Sequence, residues 1–334
     1  MNCVIFGAGA WGTAFSLHLN RQGHTVTLVP RRIEQALELA SSRENKDYLA
    51  GHKLPLSIQI GLEAVPALMD ADIVFLAYPS KGLADLLKQI GPSIKSSPTV
   101  KMVVSLTKGL DQKTLERPCE LMSQAFGKIP VGTLNGPSNA QEVARAQPTA
   151  MVLASNADEK TLSEVQAAIS GPSLRTYTST DIAGVEIGGT LKNVYALGAG
   201  LCDGLKLGDN AKAAFLTRAL QEMMRVGEAL GGKSETFLGL SGVGDLMATA
   251  HGSWSRNRAL GEAIARNASQ ALADLASRRD AVEGHRATET VSRLAKSRNV
   301  DAPILFCLHK ILFEGLDARA GVTALMTRDL KSEI

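Results

Sequence analysis

The 334-residue chain sets 36 basic against 33 acidic side chains, with 45% hydrophobic and 21% charged residues and a net charge of +3. That is an ordinary soluble profile, long enough for two domains and unlike a disordered chain. The charge is too slight to imply nucleic acid or a membrane surface, and 4% aromatics argue against stacking on exposed bases.

The chain opens on "MNCVIFGAG", which runs straight into a strand and a tight turn and leaves no room for a charged leader with a cleavage site. No apolar run is long enough to span a bilayer. Cys3, Cys119, Cys202 and Cys307 are scattered without a CxxC pair, so buried thiols in a reducing cytosol are expected rather than a zinc site or redox couple.

The first half alternates short apolar runs ("CVIF", "TVTLV", "ADIVFLAY", "KMVVSL", "VGTLN", "TAMVLA", "LRTYTS") with amphipathic stretches such as "GTAFSLHLNRQG" and "SKGLADLLKQI". Continuous apolar strands joined by helices predict a mostly parallel sheet covered on both faces, an α/β domain of the Rossmann-like, dinucleotide-binding kind over 1–182. After residue 180 the pattern turns helical. "DNAKAAFLTRALQEMMRVGEALGG" carries Ala213, Leu216, Leu220, Met223 and Gly227 at helical spacing, and further helices are expected at 255–266, 283–298, 303–315 and 318–330. An all-α domain over 183–334 follows, with 184–204 at the junction.

Gly7, Gly9 and Gly12 have GxGxxG spacing after a strand and before a helix. Gly7 permits the tight turn, Gly9 lets backbone approach a pyrophosphate, Gly12 allows close helix packing, and the helix start faces the phosphate charge. The alternative is a structural glycine turn. The second strand ends in "PRR", where an NAD site usually places an acid for the ribose 2′-hydroxyl. Arg31 and Arg32 instead suit a 2′-phosphate, which favours NADPH with NADH still possible; the alternative is a solvated basic turn. Lys108 in "SLTKGLD" lies just past a strand. In "NGPSNAQEVA", Gly136 and Ser138 form a turn before a helix opening at Ala140, a place where amides and a hydroxyl can hold an oxyanion.

The segment "GVEIGGTLKNVYALGAGLCDG" reads as a buried helix with Lys192 and Asn193 in its middle. Helix neighbours of Lys192 are Gly188, Gly189, Tyr195 and Ala196, none acidic, and such small residues leave the ammonium uncovered on its own face. A buried charge needs a partner, which must come from elsewhere in the fold or from a ligand, unless the lysine snorkels to solvent. Asp245, set among apolar residues in "GLSGVGDLMATAHG", is a candidate. Ser255, Arg256 and Asn257 then start a helix, either as a phosphate clamp or as an ordinary capped start. His18, His24, His52, His251, His285 and His309 show no metal spacing, and neither HExxH, GxSxG nor a Walker loop occurs.

The ordered set "GAGAWGTA", "TKGL", "GPSNAQEVA", "GVEIGGTLKNVYALGAG", "GLSGVGDL", "SRNRALG" and "VEG" closely resembles NAD(P)-dependent glycerol-3-phosphate dehydrogenases of the bacterial type, over nearly the whole length. The resemblance implies a cytoplasmic, homodimeric enzyme that interconverts dihydroxyacetone phosphate and sn-glycerol 3-phosphate and supplies phospholipid synthesis. By position, Lys192 matches the catalytic lysine. Lys108, Gly136, Ser138, Lys192, Asn193, Asp245, Ser255, Arg256 and Asn257 match substrate positions. The glycine turn with Ala10 and Trp11, then Arg31, Arg32, Tyr48, Lys108, Ala140, Arg256, Ala281 and Glu283, match cofactor positions. Asn139 stands where relatives usually carry Phe, and Pro30 and Trp254 also depart from the family pattern. Two rival readings are a β-hydroxyacid dehydrogenase similar to 6-phosphogluconate dehydrogenase, whose lysine is followed four residues later by asparagine where this chain has Ala196, and a non-catalytic NADPH-binding regulator.

Overall fold

A computed structural model describes residues 1–277, 282–330, 332 and 333. They fall into two compact units, Met1–Glu186 and Ile187–Ile334. Among the described residues no helix is long and apolar enough to cross a membrane.

In the first unit the chain runs β1 (Asn2–Phe6), α1 (Ala10–Arg21), β2 (Thr25–Val29), α2 (Ile33–Ser42), α3 (Lys46–Leu49), β3 (Ile58–Ile60), α4 (Ala64–Ala67), β4 (Ile73–Leu76) and α5 (Ser80–Ser96). It continues through β5 (Met102–Ser105), α6 (Pro118–Phe126), β6 (Val131–Asn135), α7 (Ala140–Ala144), β7 (Thr149–Ser155), α8 (Glu159–Ile169) and β8 (Leu174–Ser179). Among the described residues the strands form one 8-stranded sheet in the order β3-β2-β1-β4-β5-β6-β7-β8. Every neighbouring pair is parallel except β6 with β7.

Strand side chains alternate between two cores, which is why the strands read as unbroken apolar runs. Ile5, Leu28, Phe75 and Val104 join Phe15 of α1 and Val165 and Ile169 of α8 in one cluster. Val4, Phe6, Val74 and Val103 join Leu87 and Ile90 of α5 and Met122 and Phe126 of α6 in the other. Each fully buried side chain of this size contributes about 1.5–3 kcal/mol. The edge strand β3, three residues long, was not expected from the sequence; "IQI" is too short to stand out as an apolar run.

The second unit is helical. α9 (Ile182–Gly204) begins before the division and is followed by α10 (Asp209–Ala229), α11 (Ser234–Phe237), a π-turn at Leu240–Gly244, α12 (Asp245–His251), α13 (Arg256–Arg266), α14 (Ala268–Ser277), α15 (Glu283–Ser297), α16 (Pro303–Phe313) and α17 (Ala318–Met326). Helix α14 is one the sequence pattern did not single out, and α17 stops at Met326, short of the expected 330.

The glycines of α9 have a packing cause. A Cβ at Gly200 would fall 2.0 Å from the Arg258 carbonyl oxygen, and one at Gly261 of α13 would fall 2.0 Å from that of Leu197. The two helix backbones therefore touch where side chains would otherwise hold them apart.

Two buried glutamates cap helices that begin with proline. Glu222 of α10 accepts the Ile304 and Leu305 amides at 2.8 and 2.7 Å, at the start of α16, and the Tyr195 hydroxyl at 3.3 Å. In the first unit Glu186 accepts the Cys119 amide of α6 at 2.9 Å and the Arg117 guanidinium at 3.2 Å. Each carboxylate answers amides that a helix start leaves without intrahelical acceptors. Burial, the largest cause, pushes each carboxyl up to about 7, against the pull of these donors. A glutamate so raised holds its proton longer when folded than unfolded, so its contribution is full below the ordinary pKa of 4.5 and declines as pH rises through 7. Relative to Glu222→Gln, the wild-type melting temperature should therefore fall between pH 5 and pH 8, by the equivalent of on the order of 2 kcal/mol. Parallel melting curves for the two proteins across that range would contradict this.

Candidate active site

The turn after β1 is built by glycine geometry. Gly7 has φ +105°, its amide donates to the Val29 carbonyl at 2.8 Å, and a Cβ on it would fall 2.2 Å from the Ala77 carbonyl oxygen. A Cβ on Gly12 would fall 1.9 Å from the Gly7 oxygen, so α1 leaves the turn at the closest approach a backbone allows. Gly9 caps α1 without a side-chain hydrogen bond, and a Cβ there would meet nothing within 4 Å. The amides of Ala10, Trp11 and Gly12 have no intrahelical acceptor, and the helix dipole adds positive potential. These features fit a dinucleotide diphosphate.

Around the turn, Arg31 and Arg32 are exposed beyond β2, and Trp11 packs on Phe15 with ring centroids 5.6 Å apart. Tyr48 is exposed. Tyr78 was missed by sequence reasoning, although an aromatic two residues past the end of β4 was visible in "LAYPS". Its ring carbon lies 3.2 Å from where a Gly7 Cβ would be, and burial raises its hydroxyl pKa against the opposing charge of Arg31.

Lys108 is half-buried past β5, next to Gly109 at φ +99°. Gly136 follows β6 at φ +144°, and the Ser138 hydroxyl donates back to its carbonyl at 2.9 Å. Ala140 opens α7. Asn139, one of the departures from the family pattern, caps that helix by accepting the Glu142 amide at 3.1 Å.

In the second unit Lys192 is 5% exposed and Asp245 1%. The Lys192 Nζ donates to Asp245 Oδ1 at 3.0 Å and to Thr249 Oγ1 at 2.8 Å. Thr249 Oγ1 in turn donates to the Asp245 carbonyl at 2.7 Å. The lysine does not snorkel, and its acid is the candidate named from sequence. Thr249 was missed; its spacing of four from Asp245, one helical turn, was the available signal.

The small neighbours of Lys192 leave the ammonium to be met from another helix, α12, and they also have a packing role. A Cβ on Gly188 would fall 2.7 Å from the Ser241 carbonyl oxygen, so glycine lets α9 meet the π-turn that ends beside Asp245. A Cβ on Gly242, within the turn itself, would fall 2.1 Å from the Phe237 carbonyl oxygen, which explains a glycine there too. π-turns widen the helix by one residue and are frequent at functional sites. Here the turn sets Asp245 at the start of α12.

Asn193, one residue on, joins a second buried network. Its Nδ2 donates to Glu283 Oε2 at 2.9 Å and its Oδ1 accepts from Asn257 Nδ2 at 2.7 Å. Asn257 Oδ1 accepts the Gly284 amide at 2.8 Å. The network ties α9, α13 and the start of α15 together. Ser255 caps α13 by accepting the Arg258 amide at 3.2 Å, and Arg256, exposed, occupies the first helical position after it. Trp254 is exposed, and its ring closes over Gly252. Ala281 lies outside the described residues.

The glycerol-3-phosphate dehydrogenase (NAD(P)+) of Thermus thermophilus is 43% identical over 335 residues, covering 100% of both chains. The chain belongs to the NAD-dependent glycerol-3-phosphate dehydrogenase family. The model for that family's N-terminus matches residues 2–161 and the model for its C-terminus residues 181–323. A Salinibacter ruber member is 41% identical, covering 99% of this chain and 96% of the relative. The solved glycerol-3-phosphate dehydrogenase from Coxiella burnetii matches with TM-score 0.90 and 34% identity, covering 98% of each chain. The enzyme from Plasmodium falciparum, at 24% identity and TM-score 0.88, shares the fold.

Removing Asp245 strands a buried cation. Asp245→Ala should lower stability by about 3–5 kcal/mol, and the double replacement Lys192→Met with Asp245→Leu should recover most of it. Chemical denaturation of the three proteins measures this, and an unaltered midpoint for Asp245→Ala would show that the pair carries no such energy.

Proposed function

We propose that the protein interconverts dihydroxyacetone phosphate and sn-glycerol 3-phosphate with NADPH as preferred cofactor, NADH serving less well. We further take it to work as a cytoplasmic homodimer that feeds phospholipid synthesis, a reading that rests on the family resemblance. The observation carrying the chemistry is the buried Lys192 ammonium, fixed by Asp245 and Thr249 in a chain of this family.

The amides of Gly9 to Gly12 would hold the cofactor diphosphate, and Arg31 and Arg32 the 2′-phosphate that separates NADPH from NADH. When bound, NADPH supplies the hydride that adds to the C2 carbonyl carbon. Lys192 hydrogen-bonds the carbonyl oxygen and transfers a proton to it as negative charge grows there. In the reverse direction the neutral amine removes the hydroxyl proton. Asp245 and Thr249 aim the Nζ, so little reorganisation is needed during reaction. Asn193 holds its part of α9 in place through Glu283 and Asn257. Arg256 and the first-turn amides of α13 would bind the substrate phosphate. Binding energy at this remote phosphate positions the reacting carbonyl.

Loss of NADPH absorbance on mixing protein with dihydroxyacetone phosphate tests the activity. Lys192→Ala should bind NADPH normally and turn over roughly 10²–10⁴-fold more slowly; near-normal turnover would refute its role. Replacing both Arg31 and Arg32 by Ala should raise the KM for NADPH by about tenfold or more while sparing NADH. Equal losses for both cofactors would remove the 2′-phosphate assignment.

A further inference from the structure

The peptide between Ala8 and Gly9 lies at the centre of the glycine turn, and two side chains from other elements hold it. Asn45 Nδ2 donates to the Ala8 carbonyl at 2.9 Å, and Gln35 Nε2 donates to the same oxygen at 2.8 Å. Asn45 Nδ2 also donates to Thr13 Oγ1 of α1 at 2.7 Å. Asn45 is 3% exposed, and Ala8 is equally buried.

The position of Asn45 is itself specified. Just before it Arg43 ends α2 in a left-handed conformation, φ +54°, and its guanidinium donates to the carbonyls of Leu54, Pro55 and Ile58. Glu44 pairs with Lys53 at 2.9 Å. The segment is thus fastened on both sides of the asparagine.

In a trans peptide the C=O and the N–H point in opposite directions. Fixing the Ala8 oxygen toward Asn45 and Gln35 therefore turns the Gly9 N–H away from them. That N–H has no hydrogen-bond partner among the described residues. One of the two bonds about which this plane turns belongs to Gly9, so it rotates more readily than a plane between two residues with side chains. An anion-binding turn whose central amide could flip would bind poorly.

We propose that Asn45 and Gln35 are positioning residues for the cofactor, locking the Ala8–Gly9 peptide so that the Gly9 N–H is presented to the diphosphate. This deepens, and rests on, the reading that the turn binds NADPH. Neither side chain need touch the cofactor; both act through one backbone carbonyl, and each partly covers for the other.

The test uses Asn45→Ala, Gln35→Ala and the double variant of the full chain. NADPH dissociation constants are read by fluorescence titration, with 2′-AMP, which carries the 2′-phosphate and lacks the diphosphate, as a second probe. Each single variant should weaken NADPH by about fivefold and the double by more than the product of the two. Affinity for 2′-AMP, the KM for dihydroxyacetone phosphate and kcat at saturating NADPH should stay within about twofold of wild type. Should Asn45→Ala not fold, Gln35→Ala, on the half-buried side of α2, carries the same comparison. Unchanged NADPH affinity in every folded variant would overturn the proposal, as would a parallel loss of 2′-AMP binding. A wild-type protein that binds 2′-AMP or nothing, but not NADPH more tightly, would instead overturn the cofactor reading on which the proposal rests.

Discussion

A buried ammonium in contact with a buried carboxylate is the constraint around which the second unit is organised. Lys192 and Asp245 lie fifty-three positions apart in sequence and 3.0 Å apart at their charged atoms. Neither charge is tolerable alone in so enclosed a place. Their approach requires α9 to press against the π-turn, which in turn requires no side chain at Gly188 and none at Gly242. The glycines are thus part of the electrostatics. They set the backbone distance at which a lysine and an aspartate of fixed length can meet.

The same logic recurs at other buried polar groups that join one element to another. Glu222 and Glu186 each terminate at the amides of a helix that starts with proline, and Asn193 and Asn257 end on one another and on the start of α15. A buried polar group with its hydrogen bonds satisfied costs little, whereas one left unsatisfied costs about 1–3 kcal/mol. These links are specific because each can be satisfied at one relative placement of the elements it joins. They fix the geometry more than they add net stability.

How much of this the sequence discloses depends on the range over which each feature is determined. The glycine turn is local: strand, three glycines and helix start lie within a dozen residues, so its form is readable directly. The apolar runs of β1, β4 and β5 are readable because both sheet faces are covered. β3 is not, because an edge strand of three residues leaves no periodicity to detect. Asp245 stands out as an acid among apolar neighbours, yet only the fold can bring it to Lys192. The small residues of α9 are legible as a close-packing surface, but which backbones they meet is not, because helix-to-helix contact has no signature within a single helix. Asn45 and Gln35 look like ordinary residues of a polar stretch, and nothing short of the hydrogen bonds to Ala8 distinguishes them.

The cofactor side shows the converse case. Arg31 and Arg32 are exposed, so their contribution depends on charge and on their position after β2 more than on packing. A feature of that kind is visible in sequence before any fold is known. It is also the kind that can change between relatives without disturbing the core, since a surface guanidinium is held by no jigsaw of neighbours. The turn after β1 is constrained by backbone contacts at Gly7 and Gly12 that admit no side chain, whereas Arg31 and Arg32 are exposed and free to vary. The glycine turn, the end of β2 and the surroundings of Lys192 thus stand under different degrees of packing constraint, tight at the turn and at the lysine and slight at the two arginines.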